Sequence, residues 1–81
     1  MIAYDINGNQ ILIGRLVLNT AGRCFVVQGL DEYEGTTIVL TRPFKEEYLF
    51  PVGLQWSHHP EKELIMLSEE ETTMYLLKNA N

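Results

Sequence analysis

His58 and His59 are the only histidines of the chain and Cys24 its only cysteine. Together they contain the usual soft and borderline ligands of zinc, and Cys24 with either histidine would be a nucleophile and its base. The spacing supports neither chemistry. Adjacent side chains on a strand point to opposite faces, so the His58-His59 pair does not converge on one ion, and no Cys or His pair has structural-zinc spacing. Cys24 opens the run Cys24-Phe25-Val26-Val27, a setting in which a thiol is inert packing. Glu46-Glu47 and Glu61 with Glu63 are carboxylate pairs, but glycoside chemistry needs two carboxylates at a controlled separation that nothing here sets. A domain this small rarely encloses a substrate cleft. The sequence thus assigns no catalytic residue, metal or cofactor, and a non-enzymatic protein is expected.

Binding chemistry is better represented. Asp31-Glu32-Tyr33-Glu34 sets an aromatic ring among three carboxylates, and an exposed tyrosine beside charges is a common interface anchor. The stretch Arg42 to Pro60 holds all three prolines, both histidines, the single tryptophan and four of the eight aromatic residues. From Phe44 to Trp56 the even positions place Phe44, Tyr48, Phe50, Val52, Leu54 and Trp56 on one face at the period of a strand. The middle of that face reads as core. Its ends, Arg42 and Phe44 on one side and Trp56, His58 and His59 on the other, read as surface, with a Pro51 and Gly53 kink able to bring them together. The expected partner-binding set is Asp31, Glu32, Tyr33, Glu34, Arg42, Phe44, Trp56, His58 and His59. Glu69-Glu70-Glu71 is also acidic, but its place after Ser68 reads as helix capping.

These residues need elements to hold them. Ile2, Tyr4 and Ile6 alternate with Ala3 and Asp5 before Asn7-Gly8, a strand and hairpin-turn signal. Gln10 to Leu18 is apolar on both faces and predicts a central, doubly buried strand with a bulge or bend at Gly14. Arg23 to Gln28 predicts the third strand of a meander, Gly29 to Gly35 a loop carrying the acidic residues, and Thr36 to Thr41 a fourth strand. Lys62 to Leu67 predicts a last strand. Ser68 and Glu71 form a capping box opening a helix over Glu69 to Lys78, which is expected to bury Met74, Leu77 and either Tyr75 or Leu76.

The segment from Gly14 through Arg23 to Val27, GRLVLNTAGRCFVV, resembles the KOW motif of small SH3-like barrels, in which a strand leads through a glycine turn into a valine-rich strand. The resemblance implies a barrel-like fold. Members of that family commonly bind RNA and are basic, and this chain departs from them in charge.

Eighty-one residues with 46% hydrophobic and 21% charged side chains make one domain whose core stabilises it by a small margin. The fold class expected is mainly β within α+β: a small, strongly bent antiparallel sheet or SH3-like barrel of five to six strands with one C-terminal helix. The lone cysteine, the short aliphatic runs and an N-terminal Met1-Ile2-Ala3-Tyr4-Asp5 without a basic region predict a cytoplasmic protein with no membrane partner. Net charge is −5, with residues 31 to 81 carrying ten acids against four bases. A phosphate backbone needs a basic footprint, so nucleic acid is a disfavoured partner. The reading is a protein-binding module, an inhibitor or modulator occupying a surface of a larger protein, itself basic or nucleic-acid-handling, and forming a homodimer. Two alternatives follow from other residues. One is a ligand-sequestering oligomer with Trp56, Tyr48, His58 and Arg42 lining a pocket between subunits. The other is an SH3-like nucleic-acid binder using Arg15, Arg23 and Arg42.

Overall fold

The computed structural model describes residues 1–44 and 57–78. Its strands are β1 (Ala3–Tyr4), β2 (Gln10–Ile11), β3 (Leu16–Leu18), β4 (Cys24–Tyr33), β5 (Thr36–Pro43), β6 (Ser57–Pro60) and β7 (Ile65–Met66). A 3-10 turn, Glu61–Glu63, precedes β7, and the helix α1 spans Glu69–Lys78. β1 and β2 pair as a small hairpin, and the other five strands form one sheet in the order β6–β5–β4–β3–β7. Every pairing is antiparallel. The expected mainly β, antiparallel class with one C-terminal helix is what the chain adopts. The edge strands β6 and β7 do not pair with each other, so among the described residues the sheet is open rather than closed into a barrel.

The long β4–β5 hairpin corrects the expected loop at 29–35. Gly29 does not end the strand; it lies opposite Leu40 just past a register shift between Val27 and Gly29, and the pairing continues through Asp31, Glu32 and Tyr33. A bulge absorbs one residue and lets a strand resume, which is why a glycine that reads as a terminator does not act as one. The chain reverses at Glu34 and Gly35, with φ of 50° and 79°. Positive φ at both central residues is the requirement of a type I′ hairpin turn.

The second expected strand also differs. Gly14, with φ of 88°, turns the chain, and Gly14 N–H donates to the Val27 carbonyl at 2.8 Å. The run Gln10 to Leu18 is therefore split into β2 and β3, and Leu12 and Ile13 between them are exposed. β4 takes the central place in the sheet instead, and the early meander is a β1–β2 hairpin followed by the β3–β4–β5 succession.

Alternation assigns one face of the sheet to the core: Val17, Phe25, Val27, Val39 and Met66 are buried there, and Ala3, Ile11 and Leu64 close over them. Asp5 locks this cover in place. It is fully buried, and its Oδ1 accepts from the Asn7 and Asn9 amides at 2.9 and 2.7 Å while Oδ2 accepts from Met66 N–H at 2.7 Å. One carboxylate thus organises the β1–β2 turn and ties it to β7, an edge of the main sheet. Burial raises its pKa, but the three amides outweigh this and hold it below the usual carboxylate value.

The helix begins as expected. Glu71 N–H donates to Ser68 Oγ at 3.1 Å and Ser68 N–H to Glu71 Oε1 at 3.0 Å, the reciprocal capping box. The burial expected of its apolar side chains is not found. Met74, Leu76 and Leu77 are exposed, and among the described residues only Thr72 and Tyr75 of the helix are half-covered. The cap fixes where the helix starts, whereas the docking of its apolar side chains depends on tertiary packing that local sequence does not encode.

Candidate functional site

The β4–β5 hairpin is long enough to run past the core. Its last buried residue on β5 toward the turn is Val39, and Asp31, Glu32, Tyr33, Glu34, Gly35 and Thr36 are all exposed. Tyr33 is 68% exposed and sits opposite Thr36, directly before the turn. Asp31 is held in the ladder opposite Ile38, and its carboxylate accepts from Glu32 N–H at 2.8 Å. The acidic set lies on a paired strand end, which costs less ordering on binding than a free loop.

Register then divides six of the nine expected residues, Asp31, Glu32, Tyr33, Arg42, His58 and His59, between two faces. Val39 and Thr41 are buried, so Ile38, Leu40 and Arg42 of β5 occupy the outer face. Asp31 lies opposite Ile38, Val26 opposite Arg42, and His58 opposite Leu40. Tyr33, Asp31, His58 and Arg42 therefore share that outer face, joined by the half-buried Ile38 and Leu40. From Thr36 to Arg42 the strip measures about 20 Å at the rise of a strand. Two segments that are far apart in sequence are brought onto one surface.

His59 has the opposite parity. It pairs with Val39 and its ring stands 4.8 Å from that of Phe25 at an interplanar angle of 54°. Burial lowers its pKa below the ordinary histidine value, Glu63 opposes this, and His58 adds to the depression. Such a histidine is a neutral part of the core rim. Its Nε2, like Arg42 Nε, is buried without a hydrogen-bond partner among the described residues. Glu32, opposite Thr37, also falls on the His59 side, beyond the core.

Phe44 follows β5 and is half-buried rather than free. Its ring meets Tyr75 of α1 edge-on at 5.5 Å, and its N–H donates to the Cys24 carbonyl at 3.1 Å. Burial pushes the Cys24 thiol up, and a hydrogen bond with the Tyr75 side chain only partly offsets this; a raised thiol is a poor nucleophile at neutral pH. Trp56, and the Tyr48 to Leu54 face with its Pro51 and Gly53 kink, lie outside the described residues. Arg15, one of three arginines in the nucleic-acid alternative, donates from Nη2 to the Leu67 carbonyl at 3.1 Å.

Two features are not evident from residue types alone. The outer-face apolar strip has a signal in Ile38 and Leu40 alternating with Val39 and Thr41, but β-branching, which identifies the strand, does not distinguish its faces. Asp5 carries no signal beyond its place before a turn, and its role depends on Met66, sixty-one residues later. Among the described residues no group of three His, Cys, Asp or Glu side chains converges as a metal site, and no helix is long and apolar enough to cross a membrane. Comparison with family models, with curated proteins and with solved structures finds no match to this chain.

Proposed function

We propose that the protein is a non-enzymatic binding module that presents the end of the β4–β5 hairpin to a basic surface of a larger protein and so modulates it. The observation that carries this reading is Tyr33, 68% exposed among Asp31, Glu32 and Glu34 at the end of a paired two-stranded arm. Carboxylates at the hairpin end steer a basic partner and speed encounter, while the ring supplies the apolar contact that holds it. The outer-face strip through Ile38 and Leu40 to His58 and Arg42 continues the same surface. An acidic chain with six basic residues against eleven acids favours a protein over a phosphate backbone as the partner.

The test is affinity capture from the native host with the wild type and Tyr33→Ala side by side, followed by titration of the captured protein. A central tyrosine is worth about 2 kcal/mol or more at an interface, roughly thirty-fold in affinity. Neutralising Asp31 and Glu34 together is expected to slow association and flatten its salt dependence. Equal affinity of wild type and Tyr33→Ala for the captured protein would remove the hairpin end from the interface.

A further inference from the structure

Helix α1 has a second face that the described residues leave uncovered. At 100° per residue, Glu70, Glu71, Met74, Leu77 and Lys78 lie along one side, while Thr72 and Tyr75 turn toward the body. Met74 is 67% and Leu77 71% exposed, and an apolar groove runs along this side of the helix and reaches Tyr75 and Leu67. Large apolar side chains grouped in this way mark an interaction surface.

We propose that this face is where two copies of the chain meet, with their α1 helices antiparallel about a two-fold axis at Met74. The charge pattern selects this occupant. Glu70 lies four residues before Met74 and Lys78 four after it, so the two-fold brings each Lys78 beside the other copy's Glu70 and Met74 against Met74. Leu77 then lies over the methylenes of Glu71. An isologous contact of this kind needs a self-complementary patch, and a face acidic at one end, apolar in the middle and basic at the other is one. A parallel pairing would set Glu70 and Glu71 against their own copies, and a partner of uniform charge would match only one end. Antiparallel helices also oppose their dipoles, each acidic first turn meeting a basic last turn. A ten-residue helix is about 15 Å long and buries less than a standard interface, so the dimer is weak and concentration-dependent. It leaves the hairpin end of each copy free and stands independently of that end's proposed role.

Sedimentation equilibrium on the whole chain from ~10 µM to ~1 mM tests this directly. The expected mass rises from 9.3 kDa toward twice that value. Leu77→Glu, at a site too exposed to disturb the fold, is expected to hold the mass at the monomer value throughout. Lys78→Glu and Glu70→Lys are each expected to weaken association by about tenfold or more. Mixing the two is expected to restore it, because every Glu of one variant then meets a Lys of the other. A monomer at the highest concentration overturns the proposal, as does a dimer indifferent to Leu77→Glu. Dimers of the single variants that gain nothing on mixing overturn the antiparallel register.

Discussion

Asp5 attaches the β1–β2 hairpin together with two further hydrogen bonds, Tyr4 N–H to Glu61 Oε2 at 2.8 Å and Ile6 N–H to the Leu64 carbonyl at 3.1 Å. Its three amide donors come from Asn7, Asn9 and Met66 at 2.7 to 2.9 Å. Asn7 and Asn9 are exposed residues, so water can replace the carboxylate at their amides when it is removed. Met66 is buried, and its N–H is left without an acceptor. A hydrogen bond to a charged acceptor contributes about 1.5–3 kcal/mol, and a buried unpaired amide costs about 1–3 kcal/mol. The desolvation of the carboxylate offsets part of this, so Asp5→Ala is expected to cost about 3 kcal/mol. In a domain of this size each kcal/mol moves Tm by about 4–8 °C, which places the loss at about 12–24 °C. Asp5→Asn keeps an acceptor for the turn but points an amide donor at Met66 N–H, and about 2–3 kcal/mol should still be lost. The pH dependence has a definite sign. The folded-state pKa of Asp5 is depressed, so the unfolded state binds the proton more readily. Its contribution is fully present above the unfolded value near 3.9 and is lost as pH falls through the lower folded value. Urea unfolding of the wild type, Asp5→Ala and Asp5→Asn at pH 7 and across the acid range checks both claims. A cost under about 0.5 kcal/mol at pH 7, or a wild-type advantage unchanged by acid, would refute the role of Asp5 as a tie between hairpin and sheet.

Other perturbations separate the remaining features. Glu34 holds φ of 50° without being glycine, so Glu34→Asn or Glu34→Gly, residues that enter the left-handed region readily, should stabilise the β4–β5 turn by about 0.5–1 kcal/mol in urea unfolding. A loss of stability instead would argue against the type I′ geometry. His59, with its pKa lowered mainly by burial, binds its proton more weakly folded than unfolded. Stability should therefore fall as pH drops through the ordinary histidine value of about 6.5. His59→Phe should abolish that step while leaving the Asp5 transition at lower pH, and an identical profile in the variant would count against the Phe25 contact.

Features legible in the sequence are local, and those that are not depend on distant partners. The capping box at Ser68 and Glu71 is two reciprocal hydrogen bonds three residues apart, so residue identity and spacing suffice to find it. The bend at Gly14 is of the same kind. The extension of β4 through Asp31 to Tyr33 is not, because it is the register with β5 beyond the bulge that keeps the strand paired. That difference changes what the acidic residues are. As a loop, Asp31 to Glu34 would be a flexible charged segment that must be ordered on binding; as a strand end it is already ordered, with Tyr33 and Asp31 on the face of Ile38, Leu40, His58 and Arg42. Composition likewise makes Arg42 to Pro60 one dense segment, and the parity of β6 separates its histidines. His58 joins the outer surface, while His59 stands against Phe25 at the rim of the core. The expected surface is thus exposed at its acidic end but divided between two faces at both ends, Glu32 and His59 on one and Asp31, Tyr33, His58 and Arg42 on the other, because residue type announces a binding chemistry but only strand register assigns it a face.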